Sequence, residues 1–225
     1  MAPKVKGGGR IRGDLESLGC VVAENAKRHH RICAASRPGD LTAVDQAIAE
    51  GGPRQLGDLG WTQPGVFSWN RIDPGSELLI ESLPDLEGEG ADLGCGIGLL
   101  ARRVLVSPKV TRLRLVDLDR RAVTCAQSNI DDPRASFHWM DVRALPSEPK
   151  LDFVVMNPPF HDGGAEDKAL GRAFIATAAR MLRPGGACWL VANRHLPYEA
   201  VLDEHFASVR LAAETSGYKV YEARA

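Results

Sequence analysis

From Glu89 onward, apolar residues come in short runs separated by stretches whose apolar residues recur at a helical period, the pattern of strand-helix-strand units around a parallel sheet. The runs predict strands at 90–93, 112–117, 135–140, 151–156 and 186–192. Helices are predicted at 98–106, 120–130 and 166–182, and in the last of these Leu170, Phe174, Ala178 and Met181 share one face. Arg183-Pro184-Gly185-Gly186 ends that helix and turns the chain back into the sheet. A helix at 197–205 precedes two β-like segments, 208–213 and 218–223, joined through Ser216-Gly217. A hairpin at that place puts one antiparallel strand, the last, into an otherwise parallel sheet. The expected fold class is therefore α/β, with helices on both faces of the sheet.

The first sixty residues carry less pattern. Residues 1–13 read as a disordered basic tail, 19–23 as a strand, and 42–50 as a short helix with Thr42 and Asp45 in capping-box spacing, ended by Gly51-Gly52-Pro53. Too little apolar content precedes that turn for an independent core. The expected organisation is a tail at 1–13, an N-terminal segment at 14–55 and one main domain at 56–225.

Composition narrows the function classes. With 44% hydrophobic and 25% charged residues among 225, the chain has apolar mass for one substantial core. It holds no run of about 18 apolar residues, and its basic start has no apolar segment behind it. A cytoplasmic protein with no membrane partner is expected. Cys20, Cys33, Cys95, Cys125 and Cys188 are scattered, with no C-x-x-C pair, and the adjacent His29 and His30 do not point at one site. No metal is expected. The net charge of -1 is uneven, +4 over residues 1–40 and -5 over the rest. The basic start is either a solvated tail or an arm that contacts phosphates.

The chemistry-bearing residues sit where predicted strands end. Asp92-Leu93-Gly94-Cys95-Gly96-Ile97-Gly98 is a D-x-G-x-G-x-G string at a strand-to-helix turn, where glycines let a ligand approach backbone N–H groups. The nicotinamide-type fingerprint would require a glycine at 99, which is Leu99. An acid two residues before the first glycine also suits a cationic ammonium, such as the methionine end of S-adenosylmethionine. Asp117, 25 residues after Asp92 and followed by Leu118, is placed to accept both ribose hydroxyl hydrogens. Asp119 competes for that role and would otherwise cap the next helix. Asp141 is placed to accept from an adenine amino group, with the Val142 N–H donating to the ring, although an ordinary turn would also carry an Asp there.

Asn157-Pro158-Pro159-Phe160 follows the apolar run 151–156 directly. Two prolines cannot continue a strand, so the chain must leave the sheet at its carboxyl edge, where open α/β folds bind ligands. The Asn157 side-chain oxygen and the Pro158 carbonyl then form a pair of acceptors on a stiff loop. Two acceptors gripping the hydrogens of an exocyclic amine would aim its delocalised lone pair at a methyl donor. Phe160 would stack on a base taken out of its helix.

These residues resemble the class I S-adenosylmethionine-dependent methyltransferases, in the small-domain group that includes ribosomal RNA guanine-N2 methyltransferases of the small subunit methyltransferase C type. The resemblance rests on Pro64-Gly65-Val66-Phe67-Ser68, Asp73-Pro74-Gly75-Ser76, the glycine string, Asn157-Pro158-Pro159-Phe160-His161-Asp162-Gly163, Val191-Ala192-Asn193, Leu196-Pro197-Tyr198 and Lys219-Val220-Tyr221. It implies a Rossmann-like seven-stranded sheet, with the segment around Phe67 and Ser76 lying over S-adenosylmethionine. Cofactor contacts are expected from Asp92, Gly94, Cys95, Gly96, Gly98, Asp117, Leu118, Asp141, Val142 and Asn157, and catalysis from Asn157, Pro158 and Phe160. The implied partner is ribosomal RNA or a ribosomal subunit, engaged by a monomer or weak homodimer. Family members carry a full N-terminal domain, a degenerate copy of the same fold, of which 14–55 would be the remnant. The same loop also serves protein glutamine and DNA adenine methylation, and a shortened N-terminus would suit a non-catalytic cofactor- or RNA-binding subunit.

Overall fold

The computed structural model describes residues 1–3, 7–146, 150–159, 161–162, 165–166 and 168–225, in two compact units, Met1–Gly52 and Pro53–Ala225. In the first unit β1 (Ala2–Pro3), β2 (Val22–Lys27) and β3 (His30–Ala35) form an antiparallel sheet of order β1-β3-β2, accompanied by α1 (Ile11–Ser17) and α2 (Thr42–Gly51). Part of the segment expected to be a disordered tail is therefore ordered: Ala2 and Pro3 pair with Arg31 and His30, and Ile11 opens a helix. The edge of β3 offers backbone partners that a loose tail would otherwise seek in water. The strand expected at 19–23 begins at Val22 and runs on to Lys27, because the chain reverses only at Arg28 and His29, both left-handed at φ 48° and 62°. The helix expected at 42–50 forms, but Thr42 is its first residue rather than its cap. Asp40 accepts from the Thr42 N–H and hydroxyl at 2.9 and 2.7 Å instead. No described hydrophobic side chain of this unit is fully buried, in keeping with its small apolar content.

The second unit starts a few residues before the expected boundary at 56, because β4 (Arg54–Leu56) pairs with β5 (Gly60–Thr62). Helix α3 (Pro74–Ser82) follows. Then come β6 (Gly88–Leu93), α4 (Leu99–Leu105), β7 (Val110–Asp117), α5 (Arg120–Asn129), β8 (Ala135–Trp139) and β9 (Leu151–Met156). A short pair, β10 (His161–Asp162) and β11 (Ala165–Glu166), precedes α6 (Lys168–Met181), β12 (Leu182–Asn193), α7 (Glu199–His205), β13 (Ser208–Glu214) and β14 (Tyr218–Arg224). Seven strands make one sheet in the order β13-β14-β12-β9-β6-β7-β8. The strands from β12 through β8 are parallel, and β14 is antiparallel to both β12 and β13, as the terminal hairpin pattern predicts. Arg183-Pro184-Gly185-Gly186 falls in an irregularity of β12, where the register slips between Leu182 and Ala187 and Gly185 takes φ 79°.

The central strands are continuous apolar runs because both of their faces are covered. In β9, Phe153 and Val155 enter the core beneath α3, α4 and α5, while Val154 and Met156 enter the one beneath α6 and α7. Each such side chain contributes about 1.5–3 kcal/mol through burial, which makes this part of the sheet a rigid base. From β6 the chain runs out to β7 and β8 and then returns to β9 on the other side. The carboxyl ends of β6 and β9 thus flank the switch point where ligands of open sheets bind.

Candidate functional site

The glycine string carries the chain from β6 into α4. Gly94, Gly96 and Gly98 have φ of 76°, 54° and 88°, a region open to glycine at no steric cost. A Cβ at Gly98 would lie 2.8 Å from the Ile130 Cδ1, whereas at Gly96 it would meet nothing within 4 Å, so the loop presents a free face there. Its backbone is fixed from below: the Gly94 and Cys95 N–H groups donate to the Val116 carbonyl at 2.8 and 3.0 Å, and the Gly96 N–H donates to Asp117 Oδ2 at 2.8 Å. Asn129 Nδ2 donates to the Ile97 carbonyl at 2.9 Å, and the same side chain bonds both backbone groups of Trp61, tying the β4–β5 hairpin to the loop.

The acids at the strand ends differ in their surroundings. Asp92 is fully buried, and neither carboxylate oxygen has a hydrogen-bond partner, the Ala101 N–H lying near without completing a bond. Burial, reinforced by the charge of Asp117, pushes its carboxyl up to about 8. Asp117 is half-buried; burial raises its carboxyl too, opposed by the N–H groups of Asp119 and Gly96, each 2.8 Å from one of its oxygens. Asp119 caps α5 and pairs with Arg121, whose guanidinium also donates to the Gly65 carbonyl at 3.0 Å and so holds the turn before Phe67. Asp141 accepts from the Arg143 N–H and pairs with its guanidinium at 2.6 Å, and this side-chain bond holds its carboxyl below the usual range. The Val142 side chain is packed in the core, and Leu118 points into solvent.

At the end of β9, the Asn157 amide nitrogen donates to Asp73 Oδ2 and to the Ser76 hydroxyl oxygen, both at 2.9 Å. Asp73 is the N-cap of α3, with Pro74 in the first turn, and the same Oδ2 accepts the Ser76 N–H at 2.8 Å. The nitrogen end of the Asn157 amide is thereby committed to α3, which leaves Oδ1 as the acceptor end that the sequence pattern calls for. Pro158 is buried, and Phe160 lies outside the described residues.

A cleft over the glycine loop is lined by Gly94, Cys95, Gly96, Asp73, Ser76 and Asn157, and by Phe67, which is 64% exposed. Of the residues expected at the site, Gly94, Cys95, Gly96 and Asn157 meet there. Asp92 lies beneath the loop and Asp117 touches Gly96, while Gly98, Leu118, Asp141, Val142 and Pro158 do not line the cleft. Asp73 and Ser76 stood in the sequence only as part of a resemblance; an Asp followed by Pro, with Ser at the third helical position, is also a helix-start signal that marks them. The set fits S-adenosylmethionine: free space above Gly96, the carboxylate of Asp117 bonded to that same glycine, and the Asn157 amide oxygen beside it.

A family model described as the methyltransferase small domain matches residues 60–222. The chain belongs to this family. The family's span takes in β5, α3, the glycine loop and β9, so Asp73, Ser76 and Asn157 all lie within it. A ribosomal RNA small subunit methyltransferase C of Alcanivorax borkumensis is 34% identical, over 96% of this chain and 68% of its own length. One of the same name from Shewanella pealeana is 36% identical, over 70% of this chain and 46% of its own. The chain spans about half the length of several curated relatives it matches. Among solved structures, the T. thermophilus 16S rRNA N2 G1207 methyltransferase, in complex with AdoMet and guanosine, superposes with a TM-score of 0.79 at 30% identity, over 99% of this chain and 62% of that one.

Proposed function

We propose that the protein is a cytoplasmic S-adenosylmethionine-dependent methyltransferase acting on the exocyclic N2 amine of a guanine in ribosomal RNA, as a monomer or weak homodimer. The observation that carries this reading is the orientation of the Asn157 amide, nitrogen bound to α3 and oxygen left as an acceptor, beside the open face of the glycine loop. The solved relative, whose complex holds AdoMet and guanosine, supports the substrate class. No helix among the described residues is long and apolar enough to cross a membrane.

Bound S-adenosylmethionine would supply an electrophilic methyl group, whose bond to sulfur breaks as the bond to the amine nitrogen forms, leaving the neutral thioether, and the proton then lost by the methylated nitrogen would pass to water. The glycine loop and Asp117 would hold the cofactor, with Asp92 beneath the loop and Asp141, Val142 and Leu118 toward the adenine. Asn157 Oδ1 and the Pro158 carbonyl accept the two amine hydrogens, so the nitrogen lone pair turns out of the ring plane, and Phe160 stacks on the base. The Met1–Gly52 unit corresponds to the last part of a degenerate first domain and contributes basic residues to RNA.

The test is transfer of labelled methyl to unmodified ribosomal RNA and to 30S and 50S particles, followed by nucleoside mapping. Label on guanine N2 is expected, falling about 10²- to 10³-fold in Asn157→Ala with cofactor binding retained. Label on an adenine or a glutamine would keep the chemistry and replace the substrate; a protein that binds cofactor and RNA without transfer would overturn the enzyme reading.

A further inference from the structure

We propose that Asp73 and Ser76 are positioning residues for methyl transfer, setting which end of the Asn157 amide faces the amine; the inference rests on the reading of Asn157 given above. The two ends of an amide are alike in shape and opposite in hydrogen bonding, so an acceptor at this place needs something that decides between them. A carboxylate only accepts. Asp73 Oδ2, 2.9 Å from Asn157, therefore admits the nitrogen and rejects the oxygen, and the Ser76 hydroxyl oxygen takes the second N–H at 2.9 Å. With both nitrogen hydrogens committed, the oxygen end stays an acceptor whether or not a substrate is present.

The clamp is itself held. Asp73 Oδ2 also takes the Ser76 N–H at 2.8 Å as the cap of α3, and Gly75 and Ser76 are buried. A side chain at Gly75 would have its Cβ 2.8 Å from the Tyr218 ring and 3.0 Å from Asp73 Oδ2, so the first turn of α3 lies directly on β14 and cannot shift without disturbing it. Capping needs only one acceptor for the Ser76 N–H. The same oxygen serves a residue 84 positions away, which a cap alone does not explain.

The roles separate in variants of the full chain. Asp73→Ser keeps a capping oxygen for the Ser76 N–H but is too short to reach Asn157. Single-turnover transfer to the responsive RNA, measured at saturating cofactor, is expected to slow by about 10- to 100-fold, with melting temperature close to wild type. Asp73→Asn, which offers a carbonyl oxygen at the same reach, recovers most of that loss. In an Asn157→Ala background Asp73→Ser should slow transfer no further, because the group it acts through is gone. The Asn157 side-chain amide resonances, identified by their loss in Asn157→Ala, should shift in Asp73→Ser, which reports the clamp without any turnover. If Asp73→Ser does not fold, Ser76→Ala leaves the cap intact and should show the same resonance shift with a smaller loss of rate. Unchanged amide resonances, a wild-type rate in Asp73→Ser where Asn157→Ala is inactive, or equal slowing in the Asn157→Ala background would overturn this inference alone. A wild-type rate in Asn157→Ala would overturn the reading of the site and this inference with it.

Discussion

The two halves of the sheet's carboxyl edge are built differently. At the ends of β6 and β9 the side chains are enclosed: Asp92 is fully buried beneath the glycine loop, and Asn157 is bound from two sides by α3. At the ends of β7 and β8, Leu118 is 64% and Trp139 61% exposed, and Asp141 lies on the surface with Arg143. Acids at strand ends look alike in a sequence, yet here their chemistry follows from what covers the strand. The enclosed half keeps its polar atoms in one arrangement before any ligand arrives, as positioning an amine requires. The open half offers groups that a ligand must share with water and with existing partners.

The largest effect that separates the halves is the response of stability to pH. The folded carboxyl of Asp92, near 8, lies far above its ordinary value of 3.8. Between those limits the unfolded chain loses the proton and the folded one keeps it. The stability Asp92 contributes is therefore fully present below about pH 4 and is lost as pH rises, by up to about 1.4 kcal/mol per pH unit, levelling off above about 8. Carboxylates held down by partners, such as Asp119 and Asp141, act in the opposite sense and at lower pH. Urea midpoints of Asp92→Asn, a neutral isostere, should lose most of this slope, with Asp117 leaving a residue of it. A slope equal to that of wild type would show that the sealed half does not hold a protonated acid.

A smaller effect is expected one strand over. Asp117 stands between the halves, half-buried and bonded to the Gly96 and Asp119 N–H groups. Asp117→Ala removes the proposed ribose acceptor and frees the Gly96 N–H, so cofactor should bind about tenfold or more weaker, a charge-assisted bond being worth about 1.5–3 kcal/mol. Titration calorimetry with S-adenosylmethionine reads this directly. Unchanged affinity would remove Asp117 from the cofactor site and leave it a support of the loop.

The halves also differ in how much of them the sequence reveals. The strand Leu151–Met156 and the exit of the chain at Asn157 are legible, because a strand buried on both faces must be apolar throughout and two prolines must end it. The glycine string is legible because positive φ at 94, 96 and 98 calls for glycine. The clamp on Asn157 is not: it joins residues 81 and 84 positions apart, and no local pattern records a tertiary hydrogen bond. Nor does the Asp92 sequence context show that its carboxyl is fully buried without a hydrogen-bond partner. The β2–β3 hairpin stays hidden for a different reason, since Arg28 and His29 occupy left-handed turn positions where Asn-Gly would have announced them.

The smallest effect should come from Asp141, and it is the sharpest check on the contrast. Its carboxylate is already paired with Arg143 at 2.6 Å and the Arg143 side chain is largely exposed. An exposed ion pair contributes about 0–1 kcal/mol, and an adenine amino group would have to share an oxygen that Arg143 and water already satisfy. Asp141→Ala should therefore weaken cofactor binding by no more than about fivefold. The same titration that measures Asp117→Ala measures this variant. A loss as large as that of Asp117→Ala would mean that Asp141, already paired with Arg143, is fixed for the ligand as firmly as Asp117 with its two backbone donors, and what surrounds a strand-end acid would not decide its contribution.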